Sequence, residues 1–372
     1  MRPMETLNLS EHPEAKEEQF GEFLVRSHSG LSTTEKILIE ASGDLRPSSK
    51  RILICENRSG VIGQILSKRE ASLHVSQLSS DHFYHRRLKE RWEGLGVEFL
   101  LGASLPEGEA YDEILIQMSQ SMSAEFLADI LQQAYRSLLD GGRVWVALES
   151  RHGSSVKDMK KRYGALTEDS LFGGKLIRLK KKGPLKKIKS HLATVECPLA
   201  EKEALIIQTR PGVFSHRRID GGAMALIKRV QLKGEERVLE LGCGCGVVSL
   251  ALKRTFPRIE MHALDSNAVS VAQTEINAKL NHLELNGLQL NSSGWVGEES
   301  FDVVVGNPPY FGDHKLSAFF IDEAKKVLNK GGVFWLVAKK MGWNLEYASQ
   351  FFDLAETYKH GDYQVVKLVL ST

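Results

Sequence analysis

The sequence predicts an α/β protein of two tandem domains, each a mostly parallel sheet of the seven-stranded type with helices on both faces. Three observations carry this expectation. Short apolar, β-branched runs alternate with helix-length segments, several runs stop at glycine or proline, and one such series recurs later in the chain. A chain of 372 residues also exceeds what one compact core ordinarily holds.

Taken in order, residues 1–20 are polar and acidic and are expected to form a loosely held N-terminal extension. Arg51-Ile52-Leu53-Ile54-Cys55 reads as a buried strand that enters a turn at Glu56 and a helix from Val61. This stretch, Arg51 through Ile62, aligns without gaps onto Arg237 through Val248, 186 residues later. Tyr111 through Gln120 aligns onto Phe301 through Tyr310, and Gly141 through Val146 onto Gly331 through Leu336, both at an offset of 190. Three anchors at nearly one offset imply an internal duplication, with a first domain over 21–195 and a second over 196–372. Gly183-Pro184 marks the start of the connection between them.

In the second copy, strands are expected at 236–241, 259–264, about 287–291, 301–306, 333–338 and 364–371. The first runs through Glu240 into Gly242-Cys243-Gly244-Cys245-Gly246, glycines that let the backbone approach a ligand closely. Val247 stands where a dinucleotide fingerprint would place its third glycine. The second strand ends in Asp265 and Ser266; an acidic residue about 20 positions past the glycines can accept both hydroxyls of a ribose. These features suit a nucleoside-bearing cofactor without a pyrophosphate.

The fourth run, Phe301 to Gly306, ends in Asn307-Pro308-Pro309-Tyr310, at the strand end where ligands of open α/β sheets bind. Pro308 forces Asn307 into an extended conformation, and neither proline can donate a backbone hydrogen bond, so the loop is rich in acceptors. The Asn307 side-chain carbonyl and the Pro308 main-chain carbonyl can both accept from one planar amine, drawing its lone pair out of conjugation. Tyr310 offers a flat face for stacking. Taken alone, Asn-Pro-Pro also reads as a strand-terminating turn; the glycine loop upstream favours the functional reading.

With these motifs the C-terminal half resembles the class I S-adenosylmethionine-dependent methyltransferases whose fourth strand ends in (Asn/Asp)-Pro-Pro-aromatic. Arg210-Pro211-Gly212-Val213-Phe214-Ser215, Ile219-Asp220-Gly221-Gly222 and Leu328 to Ala338 are similar to segments of the bacterial ribosomal RNA guanine-N2 methyltransferases. The resemblance covers about residues 205–372. It implies two tandem Rossmann-like methyltransferase domains, the N-terminal copy degenerate, and S-adenosyl-L-methionine as cofactor. Glu240, Gly242, Cys243, Gly244, Gly246, Asp265, Ser266, Asn291 and Asn307 would line the cofactor site, with Asp265 on the ribose and Asn291 on the adenine. Asn307, Pro308, Pro309 and Tyr310 would hold the target amine and stack the flipped guanine, and Phe214 would be a further substrate contact.

Two departures leave alternatives open. Tyr310 stands where this subgroup more often has Phe, which keeps an adenine N6 amine or a protein glutamine amide as possible targets. The shortened third-strand region leaves Asn291 and Ser292 as rival adenine contacts. A reading from another class, an RNA-binding scaffold without activity, is opposed by the intact glycines, Asp265 and the tetrapeptide. The first copy lacks them: Glu56 and Arg58 replace Gly242 and Gly244, and Gln117-Met118-Ser119-Gln120 replaces the tetrapeptide. Cofactor binding is therefore expected in the second domain alone.

Hydrophobic residues make up 42% and charged residues 26% of the chain, with no apolar run near the length that spans a bilayer and no signal-peptide core at Met1 to Glu5. A cytoplasmic monomer, off the membrane, is the expectation. The four cysteines include the Cys243/Cys245 pair, which without a second Cys or His pair reads as small residues in a tight turn rather than a metal site. Net charge is +2, yet thirteen basic residues against three acidic ones between Arg151 and Lys189 give that segment +10 and leave −8 elsewhere. Lys180, Lys181, Lys182, Lys186, Lys187 and Lys189 are its densest part and are the candidate contacts to phosphates. The expected partner is ribosomal RNA, a ribosomal subunit or an assembly intermediate.

Overall fold

The computed structural model describes all residues except 1–3, 12–13, 109, 120–121, 150–152, 165, 186, 310–313 and 372, and leaves out the side chains of 153–155. The chain divides into two compact units, Met1–His191 and Leu192–Thr372.

The first unit opens with β1 (Glu5–Asn8), β2 (Lys16–Phe20) and β3 (Phe23–Ser27), a small sheet in which β3 lies between the other two. The polar extension expected over residues 1–20 is thus tied down by strand pairing, with Leu7 and Phe20 buried in the core. Only alternate residues of such strands face inward, so the stretch reads as polar. There follow α1 (Thr33–Ala41), β4 (Arg51–Cys55), α2 (Val61–Arg69), β5 (His74–Ser79), α3 (His82–Trp92) and β6 (Val97–Leu101). The unit closes with β7 (Tyr111–Gln117), α4 (Ala124–Ser137), β8 (Leu138–Glu149), α5 (Gly153–Tyr163), β9 (Leu166–Leu171) and β10 (Gly174–Lys180). Its main sheet runs β6-β5-β4-β7-β8-β10-β9, parallel up to β8 and antiparallel beyond.

The second unit begins with a hairpin, β11 (Ala193–Leu199) and β12 (Lys202–Thr209), then α6 (Gly221–Arg229), β13 (Arg237–Leu241), α7 (Val247–Thr255), β14 (Glu260–Asp265) and α8 (Ala268–Leu280). It continues with β15 (Gly287–Leu290), β16 (Phe301–Gly306), α9 (Lys315–Val327), β17 (Leu328–Ala338), α10 (Gly342–Ala348), β18 (Phe352–His360) and β19 (Tyr363–Leu370). The sheet order β15-β14-β13-β16-β17-β19-β18 matches that of the first unit position for position, which makes two seven-stranded, mostly parallel Rossmann-like sheets. Strand order reverses between β13 and β16, and at such a switch point the connecting chains part on opposite faces and open a crevice at the carboxyl ends of the strands. Leu239, Val304, Phe334 and Leu336 are buried beneath that crevice and make its floor rigid.

Candidate active site

Both predicted motifs stand at this crevice. After β13 the chain turns through Gly242, Gly244 and Gly246, all at positive φ (70°, 58° and 79°), a conformation that side chains with a Cβ rarely adopt. Their surroundings differ. A Cβ on Gly242 would lie 2.8 Å from the Phe320 ring and one on Gly246 2.7 Å from Thr274, whereas one on Gly244 would meet nothing within 4 Å. Gly244 therefore faces open space, while its neighbours allow close packing of α9 and α8.

The loop is held from three sides. Gly242 N and Cys243 N donate to the Leu264 carbonyl at 2.8 and 3.0 Å, Thr274 Oγ1 donates to the Gly244 carbonyl at 3.0 Å, and Asn277 Nδ2 to the Cys245 carbonyl at 2.9 Å. Asp265, at the end of β14, accepts from Gly244 N at 2.8 Å through Oδ2 and from Asn267 N at 2.8 Å through Oδ1. Half-buried Ser266 follows it, and Asn291 N donates to the Asp265 carbonyl at 3.0 Å. The Asn291 side chain accepts from Ser293 N at 2.8 Å, so Asn291 is fixed in a turn beside Asp265.

Glu240 and Cys243 lie deeper. The Glu240 carboxylate accepts from Ser249 N at 2.8 Å and from the Ser249 hydroxyl, capping the first turn of α7. Burial nevertheless pushes its carboxyl up to about 8, because desolvation outweighs those bonds. Cys243 and Cys245 are buried, and burial raises both thiols, that of Cys245 to about 12. Both side chains are buried within the tight turn.

Asn307 leaves β16 with its amide clamped: Nδ2 donates at 2.9 Å to Asp220 Oδ2. Asp220 is the N-cap of α6, and the same oxygen accepts from Gly222 N at 2.8 Å and Ala223 N at 3.1 Å. A carboxylate only accepts, so it fixes which end of the Asn307 amide faces it and turns Oδ1 away. The approach is close enough that a Cβ on Gly222 would lie 2.8 Å from Asn307 Oδ1. Pro308 is buried behind Asn307, and Pro309 is half-buried; Tyr310 lies outside the described residues. Phe214 is 52% exposed in the turn after β12. Asn267 Nδ2 bonds to the Gly212 carbonyl at 3.3 Å, which anchors this turn beside the end of β14.

The motifs alone give Asp220 no role of its own. Its signal is present in Ile219-Asp220-Gly221-Gly222, an N-cap residue before a helix, but its partner lies 87 residues away and only the fold joins them.

In the first unit the corresponding positions are filled. Glu56 adopts a positive φ of 63° where Gly242 has 70°, and its carboxylate, on a half-buried residue, accepts from Ser80 N at 3.2 Å. Asn57 Nδ2 donates to Gln117 Oε1 at 2.7 Å and to Glu35 Oε1 at 3.3 Å, and Arg58 lies 4.4 Å over the Tyr84 ring. Gln120 lies outside the described residues.

The lysine segment is less uniform than its charge suggests. Lys180, Lys182, Lys187 and Lys189 are exposed, but Lys181 is 4% exposed and its Nζ donates to the Leu138 carbonyl at 2.7 Å. Lys181 is thus corrected from a phosphate contact to a structural residue: its ammonium satisfies a carbonyl at the end of α4. Lys186, like Arg151, lies outside the described residues. Lys160 and Lys175 pair with Glu168, and Arg178 with Asp44 and Asp169, which neutralises part of the patch.

Residues 204–367 match the family model described as the methyltransferase small domain. The matched residues span most of the C-terminal unit. The chain is 27% identical over 310 residues to the ribosomal RNA small subunit methyltransferase C of Shewanella loihica, covering 78% of this chain and 86% of that protein. It is likewise 27% identical over 324 residues to the protein of the same name from Hahella chejuensis, covering 84% and 91%. Among solved structures, a T. thermophilus 16S rRNA N2 methyltransferase in complex with AdoMet and guanosine is similar, with a TM-score of 0.74, 22% identity and 92% of each chain covered. The chain's own residues suit a nucleoside-bearing cofactor of the kind the T. thermophilus protein holds. Gly244 borders open space, Asp265 and Asn291 flank that space, and Asn307 stands opposite at the next strand end.

Proposed function

We propose that the protein transfers a methyl group from S-adenosylmethionine to the exocyclic N2 amine of a guanine in small-subunit ribosomal RNA, in the cytoplasm. The observation that carries this reading is the Asn307 amide, clamped by Asp220 at the end of β16 so that its carbonyl is an oriented acceptor next to the glycine loop. The named activity of the relatives and the guanosine held by the T. thermophilus protein support the substrate class.

S-adenosylmethionine supplies a methyl already activated on a sulfonium, which passes to the amine nitrogen as the C–S bond breaks and the amine sheds a proton to solvent. The protein has to hold the amine. Asn307 Oδ1 and the Pro308 carbonyl accept its two hydrogens, which turns the nitrogen lone pair out of the ring's conjugation and toward the methyl. Such orientation can supply roughly 7 to 11 kcal/mol of the barrier. The guanine must leave its stack to reach the crevice, at a cost of a few kcal/mol.

Mass mapping of small-subunit rRNA from cells with and without the gene identifies the nucleotide. Single-turnover methylation of that rRNA then tests the site: Asn307→Ala is expected to slow transfer by about 10²- to 10³-fold, as for other positioned catalytic acceptors and donors, and to lower cofactor affinity far less. Normal transfer by Asn307→Ala would reduce the tetrapeptide to a turn.

A further inference from the structure

Asp220 has one carboxylate oxygen more than the clamp needs. Oδ2 accepts from Gly222 N, Ala223 N and Asn307 Nδ2, while Oδ1 accepts no hydrogen bond among the described residues. The residue is half-buried, so part of it meets solvent. The Asp220 carboxylate sits against the amide that would hold the target amine: a single point, the Cβ that Gly222 lacks, lies 2.8 Å from Asn307 Oδ1 and 2.9 Å from Asp220 Oδ2.

The first unit shows that the clamp itself does not call for a carboxylate. There the amide at the end of the matching strand, Gln117, donates through Nε2 to Ser32 Oγ at 3.2 Å, and Ser32 is the N-cap of α1. Gln117 Nε2 donates to Thr34 Oγ1 at 3.1 Å as well, so hydroxyls hold the amide directly, and the Glu35 carboxylate stands behind them, accepting from Ser32 Oγ at 2.7 Å. Asp and Ser are comparable N-caps, so the negative charge at Asp220 answers some further demand.

Resting on the reading that this site methylates a nucleobase amine, we propose that Asp220 selects guanine, its Oδ1 accepting the ring N1–H while Asn307 Oδ1 accepts the neighbouring N2 amine. The chemistry singles out one target. Guanine alone carries a second N–H beside its amine; adenine and cytosine present a ring-nitrogen lone pair there, and a glutamine amide presents its carbonyl oxygen. A carboxylate cannot donate, so each of those would set two acceptors against each other and leave both unpaired. A site built to bond a substrate N–H rejects an analogue lacking it far more strongly than a site relying on shape.

The test compares guanine with 2-aminopurine at the mapped position of an rRNA fragment, because 2-aminopurine keeps the N2 amine and replaces N1–H with a lone pair. In single-turnover assays the wild type is expected to favour guanine by at least about 10²-fold. Asp220→Asn keeps the shape and the cap but can donate to a lone pair, and is expected to shrink that preference at least tenfold while cofactor affinity stays the same. Asp220→Glu is expected to retain the preference with a slower rate. Should Asp220→Asn slow both substrates equally, Asp220 only holds Asn307 and the selectivity inference fails. A wild type without preference overturns it as well, whether or not the variants fold. A wild type that methylates no guanine in rRNA sinks the parent reading and this one together.

Discussion

Glu240 shows how burial and hydrogen bonding compete at one residue. The helix N-terminus and the Ser249 bonds favour the carboxylate, yet desolvation outweighs them and pushes the carboxyl up to about 8. Its folded value lies above the ordinary 4.5, so between those values the folded protein holds a proton that the unfolded chain has released. The stability this confers is fully present below about 4.5 and declines as pH rises through about 8. Glu240→Gln, which keeps an acceptor for Ser249 N but cannot ionise, is expected to remove this decline and to gain on the wild type by a few kcal/mol above that window. Denaturant unfolding of both proteins at pH 5.5 and pH 9 measures it. Parallel pH dependences would mean that the carboxylate is stabilised after all.

The elements most legible in the sequence are those buried on both faces. β13, β14 and β16 appear as continuous apolar runs because helices cover them on either side, and their ends, where the glycine loop, Asp265 and Asn307 stand, can be read within a residue or so. β18 escapes a reading of the sequence because it is the edge strand: Asp353, Leu354 and Ala355 all face water in succession, so no alternation marks it. The β11–β12 hairpin escapes it for a different reason. The free edge of β12 is bonded by side-chain amides of α8 and the residue after it, with Asn281 reaching Ile206 N and O at 2.9 and 2.8 Å and Asn277 reaching Gln208 N and O at 2.8 and 2.9 Å. Two asparagines stand in for a strand, a long-range arrangement without a local signature. The segment after β10 calls for the same distinction between charge and placement. Neutralising Lys180, Lys182, Lys187 and Lys189 is expected to weaken rRNA binding and flatten its salt dependence, by about one unit of log–log slope for each phosphate no longer neutralised. Lys181→Gln should instead lower thermal stability, since its buried ammonium satisfies Leu138 O. A quadruple variant with the wild-type salt slope would leave the segment a solvated surface.

Across the whole molecule one strand order serves two sheets with different side chains at the strand ends. In the second unit Gly244 borders open space beside Asp265; in the first, Arg58 stands in the place of Gly244, over the Tyr84 ring, and Glu56 and Gln117 take the places of Gly242 and Asn307 with their own hydrogen bonds. Glu56 even takes the positive φ that its position demands, so the backbone path of the glycine loop persists where the glycine has gone. The sequence reveals this contrast because replacing glycine by a larger residue is visible residue by residue, whereas the Asp220–Asn307 clamp and the Gln117–Ser32 hydrogen bond exist only once the chain has folded. Cofactor binding is therefore expected at one site per chain. A cofactor entering the first unit would meet Arg58, held 4.4 Å over the Tyr84 ring, where the second unit has the open space beside Gly244. Isothermal titration with S-adenosylmethionine should give a stoichiometry of one, and Asp265→Ala should weaken that binding strongly while Arg58→Ala leaves it unchanged. Two sites, or undiminished binding in Asp265→Ala, would overturn the division of roles between the two sheets.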